Sequence, residues 1–149
     1  MQTHGTLDHL LSQKNQALWS ISPHATVFEA IQMMADHNVG SVMVMREGEL
    51  LGVLSERDYT RKVILKGRQS RQTLVDEIMT SPVITAPLNL SIEDALRIMS
   101  ERRVRHLPVM HDGNVVGVVS LGDLIKWVVA AQDATIIQLE SYITGSSYA

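Results

Sequence analysis

The sequence predicts an α/β protein of the α+β type, built from two copies of one β-α-β-β-α unit. Three observations predict it. First, Gly52-Val53-Leu54-Ser55-Glu56-Arg57-Asp58 recurs 65 residues on as Gly117-Val118-Val119-Ser120-Leu121-Gly122-Asp123. Second, the match extends upstream, pairing Thr26 with Ser91, Ala30 with Ala95, Met34 with Met99 and Glu47-Gly48 with Asp112-Gly113. Third, in each copy a helical apolar period gives way to two runs rich in Val, Leu and Met around a turn containing Gly. A small protein made of two copies buries one against the other, and the seam presents two related clefts. A paired ligand-binding module is therefore the first hypothesis, ahead of a single active site.

The elements follow in order. Thr6 to Gln16 form a leading helix with Leu7, Leu10 and Leu11 on one side. Ala17 to Ile21 is a short extended piece before Pro23. Thr26 opens a helix whose apolar face is Val27, Ala30, Ile31, Met34 and Ala35, and Asn38 to Gly40 ends it. Ser41 to Met45 and Leu50 to Leu54 read as strands, joined by Arg46-Glu47-Gly48-Glu49 as a tight hairpin in which Gly supplies positive φ. A helix follows from Glu56 to about Lys66. In the second copy Val83 to Thr85 is extended, and Ser91 opens a helix with Ile92, Ala95, Leu96 and Met99 inward. Arg105 to Met110 and Val115 to Val119 are strands joined by His111-Asp112-Gly113-Asn114. The last helix runs from Leu121 to about Glu140, aligning Leu124, Ile125, Val128 and Val129.

The organisation expected is an N-terminal helical extension at 1–16, a first repeat at 17–66 and a linker with a lead-in helix at 67–79. A second repeat at 80–131 follows, then the end of the last helix and a tail at 132–149. Gly67 to Thr73 is the polar linker, Leu74 to Met79 the lead-in helix, and the tail from Thr144 is expected to fray.

A length of 149 residues and an apolar fraction of 45% fit one compact domain. The net charge of −3 argues against nucleic-acid binding by phosphate neutralisation. No cysteine is present, which excludes disulfides, thiolate metal sites and cysteine nucleophiles. Met1 to Gln16 lack a signal-peptide apolar core, and no apolar run is long enough to span a bilayer. The expectation is a soluble cytoplasmic protein.

The repeated Ser-x-x-Asp has a plain structural explanation. A Ser N-cap accepts a backbone N–H, and the acid three residues on returns a hydrogen bond. Thr26-x-x-Glu29 and Ser91-x-x-Asp94 are boxes of that kind and carry no ligand role. Ser55 and Ser120 differ in context, because each ends a strand that begins with Gly and turns directly into a helix. Backbone N–H groups and the positive end of the helix then face the sheet edge, a natural phosphate site. Ser55 and Ser120 add hydroxyls, and Asp58 and Asp123, one turn in, can accept both hydroxyls of a ribose. Gly122 leaves room for close approach.

With these segments in view, the chain resembles a tandem pair of cystathionine β-synthase (CBS) domains, the Bateman module, of the stand-alone type. The resemblance covers about Ala17 to Ala131 and rests on the two Gly-h-h-Ser-x-x-Asp segments (h, apolar), the unit order, and Arg103-Val104-Arg105-His106-Leu107-Pro108-Val109 with Asp112-Gly113 behind it. It implies two repeats packed about a pseudo-two-fold axis, a homodimer, and adenosyl ligands in the clefts: AMP, ADP, ATP, NAD(H) or S-adenosylmethionine. It further implies that Ser120 touches phosphate and Asp123 ribose in one cleft, with Ser55 and Asp58 doing the same in the other. Adenine would sit among Ile84, Thr85, Val104, His106, Leu107 and Val118, or among Ile21, Gly40, Val42 and Val53. Arg103, Arg105 and His106 would pair with phosphates. In place of Arg105-His106-Leu107 the first copy has Gly40-Ser41-Val42, with Arg57 as its nearby cation and Glu56 opposing an anion.

Other constellations are set aside. The six histidines include no pair at helical metal spacing with a carboxylate, so no metal site is expected. Neither Gly-x-x-x-x-Gly-Lys-Ser/Thr nor Gly-x-Gly-x-x-Gly occurs, and no Ser/His/Asp arrangement stands out. Trp19 and Trp127 read as core or interface anchors, and Arg61, Lys62, Lys66, Arg68 and Arg71 as a solvated basic face. The leading function is a non-enzymatic nucleotide sensor read by a protein partner. The alternatives are a constitutive dimerisation scaffold with vestigial clefts and, third, an enzyme acting on nucleotides.

Overall fold

A computed structural model describes residues 5–14 and 18–144. In chain order the elements are α1 (Leu7–Gln13), β1 (Ser20–Ile21), α2 (Val27–His37), β2 (Ser41–Arg46), β3 (Glu49–Ser55) and α3 (Glu56–Tyr59). A π-helical stretch Thr60–Ile64, a 3-10 turn Ser70–Gln72 and α4 (Val75–Ile78) precede the second copy. That copy holds β4 (Ala86–Pro87), α5 (Ile92–Arg102), β5 (His106–His111), β6 (Asn114–Ser120) and α6 (Leu121–Thr144). The mixed α/β repeat expected from the sequence is therefore present twice. The described chain divides into two compact units, one of residues 18–85 with 111–116, the other of residues 5–14, 86–110 and 117–144.

The first unit is organised by a sheet of order β1-β2-β3. β1 runs parallel to β2, with Ser20 opposite Met43, and β2 runs antiparallel to β3, from Ser41↔Ser55 to Arg46↔Glu49. The hairpin closes in two residues, Glu47 at φ 52° and Gly48 at φ 80°. Both angles are left-handed, the combination whose twist matches a right-twisted ribbon. α2 starts at a complete capping box: Thr26 Oγ1 accepts the Glu29 N–H, and the Glu29 carboxylate accepts the Thr26 N–H. Asn38, at φ 52°, ends it. Val27, Ala30 and Met34 of α2 pack on Val42, Val44 and Leu54, with Val63, Val75 and Ile78 closing the same core.

The second unit repeats this plan in the order β4-β5-β6. Ser91 Oγ accepts the Asp94 N–H to start α5, and Ile92, Ala95 and Met99 are buried. At the position of Asn38 stands Arg103, also left-handed at φ 55°. α1 belongs to this unit. Its Leu7 and Asp8 N–H groups donate to the Leu90 and Leu88 carbonyls, both at 2.9 Å. Leu7 and Leu10 are buried, and Leu11 lies against Gly117.

Several boundaries differ from the sequence expectation. The leading helix stops at Gln13, and Lys14 is extended. The strand expected at Val83 to Thr85 falls at Ala86–Pro87, because the parallel ladder with β5 is set by Ala86↔Val109 and Pro87↔Met110. The helix expected to reach Lys66 is α-helical only to Tyr59. Beyond it the Leu65 N–H reaches back five residues to the Thr60 carbonyl, while the Thr60 hydroxyl takes the Glu56 carbonyl. Ala35, Ile125 and Val129 were expected inward and are exposed. The first-repeat boundary at Ala17 and the tail at 145–149 lie outside the described residues.

Candidate functional site

Each Ser-x-x-Asp segment makes the strand-to-helix turn expected of it, and the capping chemistry is realised in both. In the first copy Ser55 Oγ accepts the Asp58 N–H at 3.1 Å, and Asp58 Oδ2 accepts the Ser55 N–H at 3.0 Å. In the second, Ser120 Oγ accepts the Asp123 N–H at 3.0 Å, and Asp123 Oδ2 accepts the Ser120 N–H at 2.9 Å. A backbone link brings the neighbouring strand to each turn. Glu56 N–H donates to the Gly40 carbonyl at 3.0 Å, and Leu121 N–H donates to the Arg105 carbonyl at 2.8 Å. Thus Gly40 adjoins Ser55 and Asp58, and Arg105 adjoins Ser120 and Asp123.

The two carboxylates then diverge. Asp58 is buried and saturated by its own unit. Beyond the Ser55 N–H it accepts from the Ser55 hydroxyl at 3.1 Å and from the Thr80 hydroxyl, 3.1 Å from Oδ1. Lys62 Nζ, one helical turn on, lies 3.0 Å from the same Oδ1 and also donates to the Ile78 carbonyl. Asp123 has fewer partners. Lys14 Nζ lies 2.7 Å from Oδ2 and donates to the Val118 carbonyl at 2.6 Å. Among the described residues no hydrogen bond to Oδ1 is formed, and the Ser120 hydroxyl lies close enough to the carboxylate to help stabilise its charge. Burial pushes the Asp123 carboxyl up. The Lys14 hydrogen bond and charge, together with the Ser120 N–H and hydroxyl, more than reverse this and hold it below the usual carboxylate value.

A model of the CBS domain matches residues 15–64 and 75–130, most of the chain and both copies. The chain belongs to the CBS-domain family. It is 39% identical to the Arabidopsis thaliana mitochondrial CBS domain-containing protein CBSX3 over 80% of this chain and 61% of that one. It is also 39% identical to the CBS domain-containing protein YhcV of Bacillus subtilis, over 70% of this chain and 74% of that one. The chain thus spans less than two thirds of the length of the Arabidopsis relative. Among solved structures, a protein with CBS domains from Burkholderia ambifaria superposes with a TM-score of 0.82 at 36% identity, covering 85% and 95% of the two chains. The CBS domain pair of protein MJ0100, solved with 5′-methylthioadenosine and S-adenosyl-L-methionine, shares the fold with a TM-score of 0.74 at 21% identity, covering 85% and 97%.

Within the CBS repeats, the remaining expected site residues fall as follows. Val42 and Leu107 are fully buried core side chains. Ile21, Val53, Val104, Val118 and His106 are half-buried, while Arg57, Arg103 and Arg105 are exposed. Arg103 and Arg105 form no ion pair among the described residues. Gly122 is exposed, and a Cβ there would meet only Ser120 Oγ, at an ordinary 3.7 Å. Ile84 and Thr85, grouped by sequence with the second-copy aspartate, lie in the unit that holds Asp58; Val104, His106 and Leu107 lie in the unit that holds Asp123. No described helix is long and apolar enough to cross a membrane.

Sequence reasoning passed over Lys14, Thr80 and Lys62 as partners of the two aspartates. Lys62 carried a signal, since it stands four residues after Asp58. Thr80 and Lys14 follow from register alone. Thr80 pairs with Val53 in an isolated bridge, and Lys14 reaches the carbonyl of Val118, the repeat partner of Val53. The segment leading into each repeat thus runs to the glycine-containing strand of the opposite repeat. Spacing within one repeat does not show this.

Proposed function

We propose that this CBS pair is a non-enzymatic regulatory module that binds an adenine nucleotide at the Ser120–Asp123 turn. AMP is the foremost ligand, with ADP, ATP, NAD(H) and S-adenosylmethionine as the other adenosyl candidates. One observation carries the assignment: Asp123 keeps an open carboxylate oxygen beside the Ser120 hydroxyl and the exposed Gly122 at the start of α6. A ribose diol needs carboxylate acceptors, and a phosphate needs donors at a helix start. Arg105, whose carbonyl already touches this turn, and Arg103 supply exposed guanidinium groups for the phosphate. Asp58, saturated by Ser55, Thr80 and Lys62, is the weaker site. The 5′-methylthioadenosine and S-adenosyl-L-methionine held by the MJ0100 pair support an adenosyl compound as the chemical class. The module acts as a cytoplasmic homodimer and passes the ligand signal to a protein partner. It can do so only if the nucleotide binds one arrangement of the module better than another.

Calorimetry of the ligand-stripped protein tests this. One adenosyl ligand should bind in the micromolar range, with binding lost in Asp123→Asn and kept in Asp58→Asn. A second reading, a constitutive scaffold with vestigial sites, is favoured by the lysine already seated on each aspartate. Silence toward AMP, ADP, ATP, NAD, NADH and S-adenosylmethionine alike would select it.

A further inference from the structure

We infer that Lys14 is a built-in competitor for the nucleotide site: its ammonium holds Asp123 Oδ2 and the Val118 carbonyl until ribose hydroxyls displace it. The inference rests on the nucleotide reading of the Asp123 turn. Lys14 is the first residue beyond α1, and its backbone is extended at φ −92° and ψ 114°. Its Cα is anchored, because α1 is tied to the Leu88 and Leu90 carbonyls and buries Leu7 and Leu10. Its four-carbon stem is not, so the ammonium can leave without the helix moving.

The contact is shielded enough to matter, with side-chain exposures of 17% for Lys14 and 23% for Asp123. A ribose diol offers two neutral O–H donors. Oδ1 is open to one of them, but the second must share or take the oxygen that Lys14 holds at 2.7 Å. Exchanging an ammonium–carboxylate ion pair for a bond from a neutral hydroxyl lowers apparent affinity. The site is thereby set to respond only at higher nucleotide concentration. The coupling is reciprocal: whatever fixes Lys14 on Asp123 weakens the nucleotide, and bound nucleotide releases Lys14 to solvent. Asp58 has no such device. Its lysine stands on the same helical segment, and the Ser55 and Thr80 hydroxyls hold the carboxylate as well.

Amine-reactive labelling of the wild-type full chain, read by mass spectrometry with and without saturating AMP, tests the release directly. The exposed Lys66 and Lys126 are internal controls. Lys14 labelling should rise several-fold with AMP, the controls should stay constant, and Asp123→Asn should abolish the AMP effect. Calorimetry should find AMP bound about tenfold more tightly by Lys14→Met than by wild type, the scale of one charge-assisted hydrogen bond. Labelling does not depend on how well that variant folds. If AMP instead protects Lys14, or Lys14→Met weakens binding that Asp123→Asn abolishes, Lys14 is a ligand contact; the competitor is overturned and the nucleotide site stands. If neither wild type nor Lys14→Met binds any adenosyl ligand, the nucleotide reading falls and takes the competitor with it.

Discussion

Asp58 and Asp123 are one residue of the repeat written twice, yet their neighbours give them different chemistry. Lys14 holds the Asp123 carboxyl below its usual value, and the sign of the pH dependence follows. The pair stabilises the fold fully above the ordinary carboxylate range, about pH 4, and that stability is lost as pH falls through the lowered value of the folded state. Asp123→Asn should therefore cost about 1–2 kcal/mol at pH 7. In thermal melts its gap to wild type should narrow toward pH 3. A gap that is constant with pH would mean the carboxylate charge contributes nothing. Gly122 gives a complementary handle. A Cβ there meets no protein atom closer than 3.7 Å, and alanine is the better helix former by up to about 1 kcal/mol. Gly122→Ala should hold or raise the melting temperature while weakening nucleotide binding at least several-fold. Unchanged affinity would show that no ligand approaches this backbone.

At the scale of elements, the glycine-containing strands β3 and β6 show what the repeat hides. A Cβ on Gly52 would stand 2.6 Å from Met79 Sδ and 3.0 Å from the Thr80 carbonyl oxygen; on Gly117 it would meet only the Leu11 side chain, from 2.9 Å. Side-chain ends can rotate away and a bridged backbone cannot, for Thr80 is tied to Val53 by hydrogen bonds of 2.8 and 3.1 Å. Gly52→Ala should cost about 1–3 kcal/mol and Gly117→Ala distinctly less, measured by denaturant unfolding. Equal costs would remove the Thr80 carbonyl as the cause. The contrast also marks where the sequence was legible. Helix α2, both hairpins and both Ser-x-x-Asp turns were readable because local signals fix them: apolar period, Gly at a left-handed turn, a capping residue. The site's other half was not. Lys14 and Thr80 meet their aspartates across more than 20 residues, and no local pattern encodes such a meeting. The π-helical stretch was equally silent, since Thr60 to Ile64 contain neither Pro nor Gly to mark a change of helix type.

For the molecule as a whole, the repeats of the sequence and the units of the structure are not the same objects. Read along the chain, α1 precedes the first repeat and looks like an extension to it. In the structure it joins the unit that holds β4, α5 and α6, while α4, which precedes the second repeat, closes the core around β2 and β3. Each unit therefore draws a lead-in helix from before the opposite repeat. Leu7 decides between the two descriptions, since it is completely buried and its N–H donates to the Leu90 carbonyl. Leu7→Ala should cost about 2–5 kcal/mol as a core truncation. Hydrogen exchange should then report faster opening in α5 and the start of α6, with β2 and β3 close to wild type. Loss of protection in β2 and β3 instead would return α1 to the first repeat and separate Lys14 from Asp123, so the same measurement bears on the regulatory contact as well as on the fold.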